Sequence, residues 1–222
     1  MLKKVLLLGV LTSLAACSRP APTPVVIGVI GDSTTWGFSS ISTAADGRVA
    51  VPEPQALQAN LHGTAIVKNY GINMSTADVL LKGGIVTFDD VVANNRDIGI
   101  VVINYGINDA LMVDIEAYKK SMRSLITKSE TAGKVVVLEE PNPSCLASRA
   151  KLPQFVAAMD ALAVEYKLAL IPNYRVILAQ PDWEKSLPDC LHPTQALYLL
   201  KAAEAAKVIA PIVERLQSGA AN

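Results

Sequence analysis

Short apolar runs rich in β-branched residues alternate along the chain with longer segments whose apolar positions recur at helical spacing. The runs are Val25-Val26-Ile27-Gly28-Val29-Ile30, Ala65 to Tyr70, Ile98 to Asn104, Lys134 to Leu138 and Leu168 to Ile171. Several stop at turn-forming sequence, Gly31, Gly71 and Tyr105-Gly106-Ile107-Asn108-Asp109 among them, and so read as strands. Between them, Pro52 to Leu61 predicts a short helix ended by His62-Gly63, and residues 75–95 predict helical pieces broken by Gly83-Gly84. Asp114 to Ala132 predicts a helix stopped by Gly133, residues 150–166 predict another, and Thr194 to about Leu216 the last. Residues 38–51 and the Pro-rich stretch from Glu140 to Cys145 predict loops. Strands alternating with helices imply a parallel sheet covered on both faces, with right-handed crossovers. The expected fold is α/β, a three-layer α/β/α sandwich around a parallel sheet of about five strands, with the strand ends sharing one edge.

The first residues stand outside this pattern. Lys3 and Lys4 precede an apolar stretch from Val5 to Leu14 and the small residues Ala15 and Ala16, the layout of a secretory signal over residues 1–16. The apolar stretch is too short to span a bilayer. Leu14-Ala15-Ala16-Cys17 resembles the lipobox of bacterial lipoproteins, in which the cysteine is acylated and becomes the mature N-terminus. The alternative is an ordinary signal peptide beside an incidental Cys17. Ser18 is similar to the residue after the cysteine in lipoproteins sent to the outer membrane. The resemblance implies a lipid anchor in the membrane and a periplasm-facing protein of a Gram-negative cell envelope. Residues 17–24 then form the lipidated cysteine and a Pro-rich tether. With 51% apolar residues in the chain, residues 25–222 suit one domain with a sizeable core. Removing residues 1–16 takes two lysines and no acid, leaving 18 cations against 20 acids, a net charge of −2. No basic patch points to nucleic acid.

Candidate chemistry gathers at the loops that follow strands. Gly31-Asp32-Ser33-Thr34-Thr35-Trp36-Gly37 follows the first strand directly and lifts a hydroxyl onto the edge where α/β sheets keep their chemistry. Further along stand Asn69-Tyr70-Gly71, Gly106-Ile107-Asn108-Asp109 and Asp189-Cys190-Leu191-His192. Gly-Asp-Ser alone is common, but these four blocks, in this order and at this spacing, resemble the SGNH hydrolases, also called GDSL esterases and lipases. The resemblance covers essentially the whole mature domain. It implies an SGNH/flavodoxin-like fold and a serine esterase with the triad Ser33, His192 and Asp189. It also implies an oxyanion hole of the Ser33 backbone N–H, the Gly71 backbone N–H and the Asn108 side-chain amide.

The residues themselves bear on each role. A serine nucleophile needs a base, and the chain has two histidines. His62 beside Gly63 reads as a helix end, which leaves His192. Asp189, three residues earlier, is either the group that orients the imidazole through Nδ1 or a solvated loop acid. At Gly71 a Cβ is expected to crowd the acyl group or forbid the backbone angle, against a plain turn glycine. Asn108 is a neutral donor suited to an oxyanion, or else a turn residue or cap. Asp32 and Asp109 read as acceptors of loop N–H groups. Trp36 either walls an acyl pocket or belongs to the core. Met74, in a segment with Ile72, Val79, Leu80 and Leu81, either borders that pocket or sits in an ordinary amphipathic stretch. The absence of G-x-S-x-G around Ser33 argues against an ordinary α/β-hydrolase elbow.

No run of His, Cys and Asp has metal-ligand spacing, and Gly28-x-x-Gly31 falls short of the dinucleotide fingerprint, so neither metal nor cofactor is expected. The expected activity is hydrolysis of acyl esters with short-to-medium chains, small-molecule or lipid esters that include lysophospholipids and thioesters, by a monomer. Aromatic residues make up 5% of the chain, which counts against an extended sugar-stacking platform. The rival readings are an O-acetyl esterase or O-acetyltransferase acting on envelope polysaccharide, and a non-catalytic binding lipoprotein. With Cys17 set aside for acylation, Cys145 and Cys190 remain as an even pair in an exported chain and are expected to form a disulfide. The alternative is two unpaired core residues.

Overall fold

The computed structural model describes residues 22–84 and 86–219, so the signal sequence, Cys17 and most of the tether lie outside the described residues. Five parallel strands form one sheet in the order β2-β1-β3-β4-β5. These are β1 (Val25–Gly31), β2 (Ala65–Gly71), β3 (Ile98–Asn104), β4 (Val135–Glu139) and β5 (Ala169–Ile171). The α/β sandwich expected from the sequence is the fold observed. Each strand boundary falls within a residue or two of the apolar run that predicts it, because a chain buried on both faces has no polar alternation to blur its ends.

Side chains on alternate positions of the strands point to opposite faces, and each face meets its own helices. On one face Ile30, Val101, Ile103, Val136 and Leu138 pack with the helices α3 (Ala77–Lys82), α5 (Ile115–Thr131) and α6 (Leu152–Tyr166). On the other, Ile27, Val29, Ile100, Val102, Val137 and Ile171 meet α2 (Glu53–Asn60) and α8 (Gln195–Ser218). Asp114 and Thr194, the residues that open the predicted helices, cap α5 and α8 by accepting the N–H groups of Ala117 and Leu197. Two single turns, α1 (Ser33–Trp36) and α4 (Asp109–Met112), and α7 (Asn173–Leu178) complete the α-helices among the described residues. Of these three, none was expected; each is too short to show a period in sequence. No helix among the described residues is long and apolar enough to cross a membrane.

Beneath the carboxyl edge of the sheet lies a buried polar layer. Lys201 of α8 is fully buried, with its Nζ 2.6 Å from Glu53 Oε2 and 3.4 Å from Glu139 Oε1. Asn104 and Asn173 both donate side-chain N–H groups to Glu139 Oε1. The layer thus joins the last residues of β3 and β4 to the first turns of α2 and α7 and the second turn of α8. Burial, and next the charge of Glu139, push the Glu53 carboxyl up to about 8, while Lys201 keeps its proton. Removing one partner from such a cluster costs about 3–5 kcal/mol, because it leaves a buried charge unpaired.

Cys145 and Cys190 form the expected disulfide, with Cα atoms 4.8 Å apart. The bridge is doubled by bonds to the same backbone: Cys145 N–H donates to Cys190 O at 3.0 Å, and the Ser144 hydroxyl to the same oxygen at 2.7 Å. Asn142 Nδ2 donates to Leu191 O at 2.9 Å. The bridge closes a sequence separation of 45 residues. On chain entropy, reduction is expected to cost about 4 kcal/mol, or a melting-temperature drop of about 8–16 °C for a domain of this size. Thermal unfolding with and without reductant, with the Cys145→Ser/Cys190→Ser double variant as control, measures it; coincident curves would mean that the hydrogen bonds alone hold the loop.

Candidate active site

The carboxyl edge brings together residues from both ends of the chain. β1 ends at Gly31 and the chain turns at once into α1, so Ser33 stands two residues past the end of the strand. Asp32 caps that turn: its Oδ1 accepts the Thr34 N–H at 2.8 Å and the Thr34 hydroxyl at 2.9 Å. The turn leaves through Gly37 at φ 104°, where a Cβ would meet the Pro52 ring at 2.6 Å. Across the edge, the loop before α8 carries His192 back over Ser33. Ser33 Oγ lies 3.0 Å from His192 Nε2, and His192 Nδ1 lies 2.7 Å from Asp189 Oδ2. With a proton on Nδ1 donated to Asp189, Nε2 is left as the acceptor for the serine hydroxyl.

Asp189 is held as an anion. Partial burial pushes its carboxyl up, but the His192 backbone N–H, the imidazole and the Leu191 N–H outweigh that and hold it below the usual carboxylate range. Its Oδ1 accepts the His192 N–H at 2.7 Å, so one carboxylate fixes both the backbone and the ring of the same histidine. Cys190, between them, adopts φ 62°, in the left-handed region, and the disulfide and its neighbouring bonds hold it there. His62 lies at the opposite edge of the sheet, exposed at φ 47° where α2 ends.

Gly71 and Asn108 end or follow the strands that flank β1, in register with Gly31 and one loop beyond it. The reasons expected for Gly71 give way to a different one. Its backbone is not left-handed, and a Cβ would lie 2.1 Å from the Trp36 backbone nitrogen rather than in an acyl site. Its N–H, expected to be free, donates to Asn69 Oδ1 at 2.9 Å. Asn69 Nδ2 in turn donates to Thr35 O at 2.9 Å, so this side chain pins the end of β2 to α1. Asn108 is buried, and its Nδ2 gives one N–H to Ser75 O at 3.1 Å, leaving the second available. Asp109 clamps the same loop by accepting the Ala77 N–H at 3.0 Å, and burial pushes its carboxyl up to about 7.

Of the two expected pocket residues, Trp36 is half-buried under Arg48, whose guanidinium lies 5.2 Å from the ring and whose Nε donates to Trp36 O. Met74 is 60% exposed on the loop after β2, at φ 63°. Clefts of about 750, 460 and 400 Å³ are lined by other residues, the first at the amino edge around Lys134, Lys167 and Arg215. Among the described residues no group of three His, Cys, Asp or Glu side chains is placed to hold a metal.

Sequence reading passed over Phe38. Its ring packs on the His192 imidazole with centroids 4.6 Å apart and planes at 66°. Its N–H donates to Ser33 O at 3.0 Å and its carbonyl accepts the Tyr198 hydroxyl at 2.7 Å. One residue therefore touches the serine turn, the imidazole and α8. Nothing in the stretch Gly37-Phe38-Ser39 marks it, since the contact spans the chain. Asn69 belongs to the Asn69-Tyr70-Gly71 block, but its clamp on α1 shows only in three dimensions.

Among solved structures, the lipase/acylhydrolase from Enterococcus faecalis superposes with a TM-score of 0.72 at 19% identity, covering 85% of this chain and 96% of that one. An acetylxylan esterase from Geobacillus stearothermophilus gives 0.66 at 19%, covering 85% and 96%. No curated protein matches the sequence. At such identities the structures establish the fold alone. The family model for the GDSL-like lipase/acylhydrolase family, however, matches residues 29–200, a stretch that runs from β1 through the serine turn and His192 into α8. The chain thus belongs to the GDSL-like lipase/acylhydrolase family and is a serine hydrolase acting on esters.

Proposed function

We propose that the protein hydrolyses acyl esters of short-to-medium chain length through Ser33, His192 and Asp189. The observation that carries this reading is the unbroken relay from Ser33 Oγ through the imidazole to the Asp189 carboxylate, at 3.0 and 2.7 Å. Ser33 Oγ attacks the ester carbonyl carbon as its proton passes to His192 Nε2. Asp189 stabilises the imidazolium that results. The tetrahedral intermediate collapses, His192 returns the proton to the leaving alcohol oxygen, and an acyl-serine remains. Water then attacks the acyl carbonyl, gives its proton to His192, and the second collapse frees the carboxylic acid and the Ser33 hydroxyl.

The negative oxygen needs donors. The Ser33 N–H is one of the amides that the start of a helix leaves without an intrahelical partner. The second N–H of Asn108 supplies another. Gly71 contributes to the hole only by sharing its N–H between the oxyanion and Asn69, so the reading rests mainly on Ser33 and Asn108. In this scheme Phe38 keeps the imidazole over Ser33 while Asp189 holds its far side. We further propose that residues 1–16 are a lipoprotein signal, that Cys17 is acylated, and that the domain 25–222 acts as a monomer at the outer membrane, facing the periplasm.

Ser33→Ala and His192→Ala are each expected to abolish hydrolysis of a p-nitrophenyl short-chain ester with an unchanged circular dichroism spectrum, and the double variant to lose little more than either alone. Substantial turnover by Ser33→Ala overturns the mechanism. Asn108→Ala is expected to lower kcat by about 10²- to 10³-fold with a small change in KM. A loss confined to KM would assign Asn108 to substrate binding instead. Labelled palmitate is expected to enter the full chain expressed in a Gram-negative host and not its Cys17→Ser variant; an unlabelled, freely soluble product counts against the anchor.

A further inference from the structure

Among the described residues, a buried arginine that forms no ion pair stands at the same edge. Between β4 and α6, Cys145, Ala147, Ser148 and Ala150 are exposed, whereas Arg149 is turned inward and only 6% exposed. A guanidinium offers five N–H donors. Here Nη1 reaches the Ser148 hydroxyl at 3.3 Å, and Nε is buried with no partner. Among the described residues the arginines in ion pairs are Arg123 and Arg175, not Arg149. A protein keeps a guanidinium out of water at a cost that an anion offsets well, so a buried Nε–H with no partner is a donor that an oxyanion would satisfy.

Its surroundings place that anion. Arg149 ends a short helical turn, Ala147–Arg149, that packs on α4, the helix following Asn108 directly. Four residues earlier, Cys145 is bonded covalently to Cys190, in the turn that holds Asp189 and His192. Burial lowers the proton affinity of Arg149, and the charge that offsets this is Asp32, next to Ser33. Asp32 Oδ1 is committed to Thr34 and its Oδ2 is buried without a hydrogen-bond partner, so Asp32 favours the cation through its charge and forms no ion pair with it.

We infer that Arg149 recognises a carboxylate or phosphate group on the alcohol part of the ester. This rests on the triad proposed above, in which His192 protonates the leaving oxygen. The departing alcohol therefore lies toward the His192 turn, to which the Arg149 segment is tied. A guanidinium pairs with either anion through two parallel N–H···O bonds, which a neutral alcohol cannot accept in the same way. Arg149 thus sets specificity for the group that leaves, while the acyl part is held elsewhere.

The test compares 4-acetoxybenzoate, 4-acetoxyphenyl phosphate and the neutral methyl 4-acetoxybenzoate at constant ionic strength. In the wild type at least one anionic ester is expected to exceed the methyl ester by about 10- to 100-fold in kcat/KM, mostly through KM. The favoured anion tells carboxylate from phosphate. In Arg149→Gln the ratio of charged to neutral substrate is expected to collapse toward one. Thermal shifts with benzoate and inorganic phosphate supply a readout independent of turnover: one of them is expected to raise the wild-type melting temperature above that in equimolar chloride. No preference for either anion in the wild type overturns the inference, as does an equal loss on all three esters in the variant. A wild type that is stabilised by the anion yet hydrolyses none of the esters upholds the anion site and sinks the triad reading.

Discussion

The site depends first on a lack of room. At Gly31 a Cβ would lie 2.1 Å from Thr35 Oγ1 and 2.6 Å from Asn104 O, and at Gly71 2.1 Å from the Trp36 nitrogen. The serine turn is therefore seated directly on the ends of β1 and β2, through the Thr35 side chain at Gly31 and backbone against backbone at Gly71, and only residues without a side chain allow it. Such contacts are stiff, because close-packed atoms resist compression far more steeply than a hydrogen bond resists bending. With the turn seated, Asn69 can reach Thr35 O, Phe38 can reach Ser33 O, and the hydroxyl has one place to be. Any larger residue at either glycine lifts the turn and carries Ser33 with it.

His192 is positioned by different means. The His192 loop is held chiefly by ties. The Cys145–Cys190 bridge, the Ser144 and Asn142 bonds and the two-handed grip of Asp189 fix the loop before α8, and Thr194 starts the helix at once. Lys201 then holds the second turn of α8 against Glu53 and Glu139. A buried ammonium among carboxylates is an expensive way to fasten a helix, and apolar packing of the same volume is often as stable. What the charged layer adds is register: Lys201 satisfies both carboxylates at one position of the helix, whereas an apolar seam tolerates sliding.

Much of this was open to reading from the chain. The five apolar runs became the five strands, and the Gly-Asp-Ser, Asn-Tyr-Gly, Gly-Ile-Asn-Asp and Asp-Cys-Leu-His blocks met at one edge. Strand cores and catalytic motifs are local, so a local reading finds them. Lys201, in Leu199-Leu200-Lys201-Ala202, is indistinguishable in sequence from a lysine at a helix surface, because its partners come from α2 and β4. Phe38 and Arg149 were missed for the same reason: each draws its meaning from a contact, or the want of one, that only folding creates. Gly71 shows the subtler failure, in which the residue was singled out and its cause misassigned to the substrate instead of the neighbouring turn.

The wide separation of Ser33 and His192 along the chain has a consequence for how the proposed site comes into being. Ser33 and His192 are 159 residues apart, and β1 lies inside the sheet, where it needs both β2 and β3 as neighbours. Contacts this distant carry the largest loop-closure entropy and form late in folding. A growing or partly folded chain holds a serine with no imidazole near it, as inert as any surface hydroxyl. On the proposed mechanism, reactivity arrives only when the last helix docks, so the protein is chemically silent through synthesis, and the appearance of its activity times the completion of its fold.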